Sequence, residues 1–473
     1  MLNAGLTAKA GVDFIADYET TLLNKDFPLA SFDSCESGAP RPAITWSRSF
    51  SRANSPGERA RAIIEASDGT YVVVGESSLF NGVTGNAASL WALRLDALGN
   101  VLWQQAFGGH SPARAVQEVE GGFVIASSQG LLKVDTGGNL LWARHYEGDG
   151  FLDIASLATH PDGSLLVAGR IGNDAQAWSM KLDGRGEVLW SRHFGGTEFS
   201  RVRPTADGGD ILVGSTVGSL GDVYLVKLDA GGGIAWQRAL NNAYDTNGDE
   251  PEGTVLDADE RGLDVVEKPG GGYVVVGETY GGFPLPAPGQ IGHYAAWVAE
   301  LDASGAFTGG GSTLIRAPAD AHYSAARAVA VRPNGSTVVV GRRADTAEDL
   351  LVNESILLFQ GGALSLLDGG GNDFVSEEGG SMPLQLTRDG GVILAVTSSS
   401  FTGQEQFWLV KMGRTANISF PYLGGIAGAS YVNGLATSLS LSPAVKEAPV
   451  GVQTVTAQLG VEVTDMQSLQ QAP

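Results

Sequence analysis

The chain has 473 residues, with 67 Gly, 19 Pro, one Cys and nine Trp, and its 30 basic and 52 acidic side chains give a formal charge of −22. Such acidity repels phosphate backbones and anionic membrane surfaces, which argues against nucleic-acid binding, and the lone Cys35 can close no intrachain disulfide or cysteine-based zinc site. Hydrophobic residues at 43% supply a large core, and glycine at twice the usual share of about 7%, without a G-X-Y period, requires many tight turns and excludes collagen.

Residues 1–42 are of mixed composition, lack the basic-then-apolar layout of an export leader, and run into the proline-bounded GAPRPA, so they read as an arm or adaptor. No stretch of 18 uncharged apolar residues follows that could span a bilayer. The segment AITWSRSF at 43–50 reads as the fourth strand of a unit whose first three strands do not precede it. Paired into the last unit of the chain, it would close a ring by backbone hydrogen bonds.

From there one pattern recurs. WALRLDALGNVLWQQAFGG from Trp91, LLKVDTGGNLLWARHYEG from Leu131, WSMKLDGRGEVLWSRHFGG from Trp178 and YLVKLDAGGGIAWQRALNN from Tyr224 each place Gly three and Trp seven residues after an aspartate. The sets are Asp96/Gly99/Trp103, Asp135/Gly138/Trp142, Asp183/Gly186/Trp190 and Asp229/Gly232/Trp236. Constant spacing of this kind describes a hairpin: apolar alternation ends one strand, Asp bonds the turn backbone, Gly takes a positive φ, and Trp opens the next strand. A second Gly-rich hairpin precedes each copy, at SDGTYVVVG, EGGFVIAS, PDGSLLVAG and ADGGDILVG, making four strands per unit. Degenerate copies follow around Tyr273, Val338 and Val392, in which Asp302 survives but Gln360 and Gly413 replace the aspartate, and Gly309, Leu367 and Phe420 replace the tryptophan.

Seven four-stranded units predict an all-β fold, a β-propeller of seven blades over residues 43–422. A sandwich or solenoid is the competing architecture. Eight blades is the alternative count, because NISFPY around Phe420 can also serve as a closing strand. The extension 423–473 alternates apolar and polar residues in SLSLS and VQTVTAQLGVEV, giving strands suited to pairing with a partner or to packing on the propeller's own side.

The W-L-V-K-L-D, G-N-V-L-W, F-G-G pattern resembles the secreted bacterial and archaeal β-propeller repeat proteins and, more distantly, the pyrroloquinoline-quinone type of propeller. In the latter the Trp stands one residue further from the Asp than it does here. The first resemblance implies an extracellular or cell-surface location and carries no assigned activity.

Three groups of residues could carry chemistry. Arg61, Arg114 and Arg327 occupy one aligned position in first strands, where they would face a central channel and bind an anion or pair with neighbouring carboxylates; Ala155, Ser200, Leu263 and Met382 stand there in the other units. Asp245, Asn247, Asp249, Glu250 and Glu252 present oxygen ligands at spacing suited to calcium, although Glu250 takes the place of the usual Gly and Leu256 that of the last Glu. The repeated tryptophans read as packing between blades. The six histidines show no zinc spacing, and there is no Walker loop, G-x-S-x-G elbow or haem motif. The expected function is therefore a non-catalytic interaction or assembly module working through its faces and terminal segments, with a propeller enzyme or quinone-dependent oxidoreductase using the central channel as the alternative.

Overall fold

The computed structural model describes residues 44–50, 57–77, 89–107, 112–128, 130–148, 152–172, 176–216, 221–245, 255–256, 259–280, 294–315, 323–344, 354–360, 363–367, 383–398 and 405–413, with short strands at 14–15, 431–433, 435–440, 446–447, 450–455 and 463–465. Among them every regular element is a strand.

The strands form antiparallel meanders, one per sequence unit. Unit 1 comprises Glu58–Glu65, Tyr71–Ser77, Ser89–Leu95 and Val101–Phe107, and unit 2 comprises Ala113–Val119, Gly122–Ser127, Gly130–Asp135 and Leu140–Gly148. Unit 3 runs through Leu152–Thr159, Leu165–Ile171, Gln176–Leu182 and Val188–His193, and unit 4 through Gly196–Pro204, Asp210–Thr216, Val223–Leu228 and Ile234–Asp245. Unit 5 is Asp259–Glu267, Tyr273–Tyr280, Tyr294–Leu301 and Phe307–Ile315, and unit 6 is Tyr323–Val331, Thr337–Ala344, Glu354–Gln360 and Ala363–Leu367. Unit 7 contributes Leu384–Leu386, Val392–Ser398 and Gln406–Met412, and Ile44–Phe50 adds its outer strand, with Ile44 opposite Met412 and Phe50 opposite Phe407. The ring is thus closed by the segment expected to close it. Phe420, the rival for that place, lies outside the described residues.

Among the described residues hydrogen bonding divides the propeller into six sheets, not the seven or eight expected. The physical reason is local: units 5 and 6 share one nine-stranded sheet because Tyr294 pairs with Tyr323 in parallel, a single backbone contact between the third strand of one unit and the first of the next.

Alternation within each strand sends side chains to both faces of a sheet, so each unit feeds two apolar cores. Val72 and Val74 of unit 1 pack with Phe123 and Ile125 of unit 2, whereas Tyr71 and Val73 pack with Trp46, Phe407 and Leu409 of unit 7. First strands of successive units pack on one another and bound the channel.

The repeated turns explain the Asp/Gly/Trp spacing. Asp135 Oδ1 accepts from the N–H groups of Gly137 and Asn139, both at 2.8 Å, and Asp96, Asp183, Asp229 and Asp302 do the same in their units. The Asn139 amide and these turn donors hold the Asp135 carboxyl below its usual range. Gly138 takes φ +87°, and a Cβ there would stand 2.9 Å from the Trp103 ring of the preceding unit. That ring donates its Nε1–H to Thr136 O at 3.0 Å, as Trp46 does to Ala97 O at 3.0 Å and Trp236 to Ala303 O at 3.2 Å. Two residues after Trp46, Trp142, Trp190 and Trp236, the side chains of Arg48, Arg144, Arg192 and Arg238 donate to carbonyls in the turns of the next units, those of Leu98, Arg185, Gly232 and Ser304. The outer strands of units 7, 1, 2, 3 and 4 thereby latch onto the next unit's turn.

Five short C-terminal strands lie antiparallel on the outer strands of units 5, 4, 3, 2 and 1, in that order: 431–433, 435–440, 446–447, 450–455 and 463–465. At the other end, Phe14–Ile15 pairs with the strand that closes unit 7. The terminal strands are therefore paired within the chain's own blades.

Candidate functional site

The charged residues of the channel are set by a feature repeated in six first strands. A β-bulge interrupts the pairing of the first and second strands between Ala60 and Ala62, Ala113 and Ala115, Ile154 and Ser156, Phe199 and Arg201, Gly262 and Asp264, and Ala326 and Ala328. The extra residue is Arg61, Arg114, Ala155, Ser200, Leu263 or Arg327, the aligned column read from the sequence. A bulge leaves one residue out of the ladder and re-aims its side chain, which lets an arginine stand at this place without breaking the apolar alternation.

The three arginines do not meet in one cluster; each has its own carboxylate. Buried Arg61 donates through Nη2 to Glu76 Oε1 at 2.8 Å, and Arg59 reaches Glu76 at 3.6 Å and Glu405 of unit 7 at 2.6 Å. Arg327 of unit 6, also buried, lies 3.3 Å from Glu278 of unit 5. Arg114 of unit 2 stands 3.8 Å from Asp153 of unit 3, which also faces Arg170 at 3.4 Å.

The most enclosed charge group was not singled out from the sequence. Asp264, with no exposed surface, accepts from Arg203 Nε at 3.0 Å and Nη2 at 2.7 Å, and from the backbone N–H groups of Val265 at 2.8 Å and Val329 at 3.0 Å. Arg201 adds a second cation at 3.4 Å. Burial opposes ionisation of Asp264, but Arg203 and Arg201 overcome it and hold the carboxyl below its ordinary value. One carboxylate thus ties together the first strands of units 4, 5 and 6. Its signal in the sequence is the position after the bulge column, where FSRVRP places Arg201 and RGLDVVE places Asp264.

Away from this level, His160 Nε2 approaches Asp210 Oδ1 at 3.1 Å, both side chains buried, and joins units 3 and 4. Lys227 and Lys411, buried on the third strands of units 4 and 7, reach Asp207 and Asp389 in turns of their own units at 2.8 and 2.7 Å. Of the calcium candidates, Asp245 ends the outer strand of unit 4 opposite Val255, and Asn247, Asp249, Glu250 and Glu252 lie outside the described residues. Among the described residues no helix is long and apolar enough to cross a membrane.

No protein family and no curated protein sequence matches the chain. Solved structures do resemble it. Hydrazine synthase of Kuenenia stuttgartiensis aligns over 65% of this chain and 78% of its own at 16% identity and a TM-score of 0.43. The Pan2 WD40 domain of Neurospora crassa aligns over 76% and 90% at 12% identity and 0.41, and the α-L-arabinofuranosidase Arb93A of Fusarium graminearum over 75% and 93% at 13% identity and 0.38. The strand topology makes this chain a β-propeller of four-stranded repeats.

Proposed function

We propose that the chain is a non-catalytic propeller of seven repeat units, exported to the cell surface or beyond, that serves as an interaction or assembly module through its faces and terminal segments. The observation that carries this reading is the edge-to-edge pairing of the C-terminal strands with the outer strands of five units. A strand edge that accepts a tail from its own chain accepts the same tail from another copy by the same backbone hydrogen bonds, and three of the pairings span only two or three residues. The channel arginines support it too, since each faces a carboxylate that joins strands or units.

The test is the mass in solution of the full chain and of residues 1–423, each with calcium and with a chelator. The full chain should form a discrete, concentration-dependent oligomer and the shortened chain a monomer. A full chain that stays monomeric at every concentration would overturn assembly through the terminal segments, and a calcium-dependent change in mass would draw the 245–252 loop into the contact.

A further inference from the structure

We propose that Arg201 anchors an oxyanion site in the central channel, one that takes a phosphate or carboxylate group; the proposal goes beyond the assembly reading and does not depend on it. The argument starts from the hydrogen-bond capacity of Asp264. Its two oxygens already accept four hydrogen bonds, two from Arg203 and two from backbone N–H groups, which saturates a carboxylate whose side chain is wholly enclosed. Arg203 spends its fork on that carboxylate, leaving Arg201 as a second guanidinium beside a filled acceptor. Arg201 Nε is buried without a hydrogen-bond partner, and 3.4 Å from Asp264 it gains attraction but no bond.

The Arg201 side chain as a whole is 22% exposed, on a first strand that packs between the first strands of units 3 and 5. Two arginines against one aspartate leave a surplus of one positive charge in a chain whose total is −22. At the junction of units 2 and 3, Arg114 stands beside Asp153 and its Nε is again buried without a hydrogen-bond partner. Burial works against the charge on Arg201 more than Asp264 supports it, Arg203 adds to the burial effect, and a bound anion would offset both. A planar guanidinium with open donors beside a second cation suits an oxyanion, whose two oxygens it can bind side by side. Glu198, half-buried three residues earlier on the same strand, adds a negative charge that opposes anion binding.

Calorimetric titration of the full chain with inorganic phosphate and, separately, with acetate tests this, with sodium chloride at matched ionic strength as the blank. Saturable binding of at least one anion is expected, phosphate alone marking a phosphate site and acetate alone a carboxylate site. Arg201→Met should weaken that binding about tenfold or more, the size of one charge-assisted contact, and Glu198→Gln should tighten it. Arg201→Lys keeps the charge without the fork and should fall between; it decides the matter if the methionine variant fails to fold. No saturable binding of either anion, or unchanged affinity in Arg201→Met or, failing that, in Arg201→Lys, overturns the proposal.

Discussion

If the outer latch holds the ring together, two glycines of almost identical backbone must respond differently to alanine. Gly138 and Gly163 both sit in the left-handed region, at φ +87° and +80°. An alanine there costs about 1–2 kcal/mol from backbone strain alone. At Gly163 nothing lies within 4 Å of the added Cβ, so strain is the whole effect. At Gly138 the Cβ meets three atoms of the Trp103 ring at 2.9–3.1 Å, several tenths of an ångström inside the usual carbon contact of about 3.5 Å. Trp103 cannot yield freely, because it is 7% exposed within the core between units 1 and 2 and its indole N–H is bonded to Thr136 O. Overpacking of this kind costs about 1–3 kcal/mol more. Gly138→Ala should therefore destabilise by about 2–5 kcal/mol and Gly163→Ala by about 1–2 kcal/mol. Urea unfolding followed by far-ultraviolet circular dichroism measures both. In a Trp103→Ala background the Gly138→Ala cost should shrink to the strain alone, since the clash has gone. Equal shifts at the two glycines, or full additivity of Gly138→Ala with Trp103→Ala, would refute the latch.

Two further outcomes follow from the charge pairs. Asp264→Asn leaves Arg201 and Arg203 facing each other in a closed space and should lower stability by about 3–5 kcal/mol, as removal of one partner from a buried pair does; a urea-midpoint shift worth under about 1 kcal/mol would contradict the staple. The Asp207 carboxyl is pushed down to about 2, first by its hydrogen bond from Lys227 and then by that from Thr205. Because the folded value lies below the unfolded value of 3.8, the pair's contribution is complete above about pH 4 and is lost as pH falls from there towards 2. Lys227→Met should flatten the fall in urea midpoint over that window, and an unchanged slope would show that Asp207 draws its stabilisation from elsewhere.

The parts of the molecule governed by contacts close in sequence were legible in the chain. Asp at a turn, Gly three residues on and Trp seven on are local requirements, so their spacing reveals the hairpin and the docking ring together. AITWSRSF was legible as a closing strand because it carries the same Trp-x-Arg as the outer strands of units 2, 3 and 4. The aligned column of Arg61, Arg114 and Arg327 was legible as a position but not as a bulge, since the extra residue is defined only by its pairing with the second strand. Arg203 and Asp264 stand 61 residues apart and meet only once neighbouring units pack, so the position after the bulge column marked Asp264 but nothing local announced its partner. The sheet count was missed for a similar reason: the contact that fuses units 5 and 6 is made by backbone atoms of Tyr294 and Tyr323, and such a contact leaves no side-chain pattern.

The closing strand also decides how the propeller bears load. The arm and the C-terminal extension join the ring at Ile44 and Met412, which are register partners at the same end of an antiparallel pair. Tension between those two points pulls the strands apart from that end, so the hydrogen bonds of this seam take the force one after another, whereas in shear they would share it. Once the short terminal strands have peeled from the outer strands, the ring yields where its two ends meet. A protein held by both terminal segments would thus shed its tail and open like a clasp before any blade unfolds.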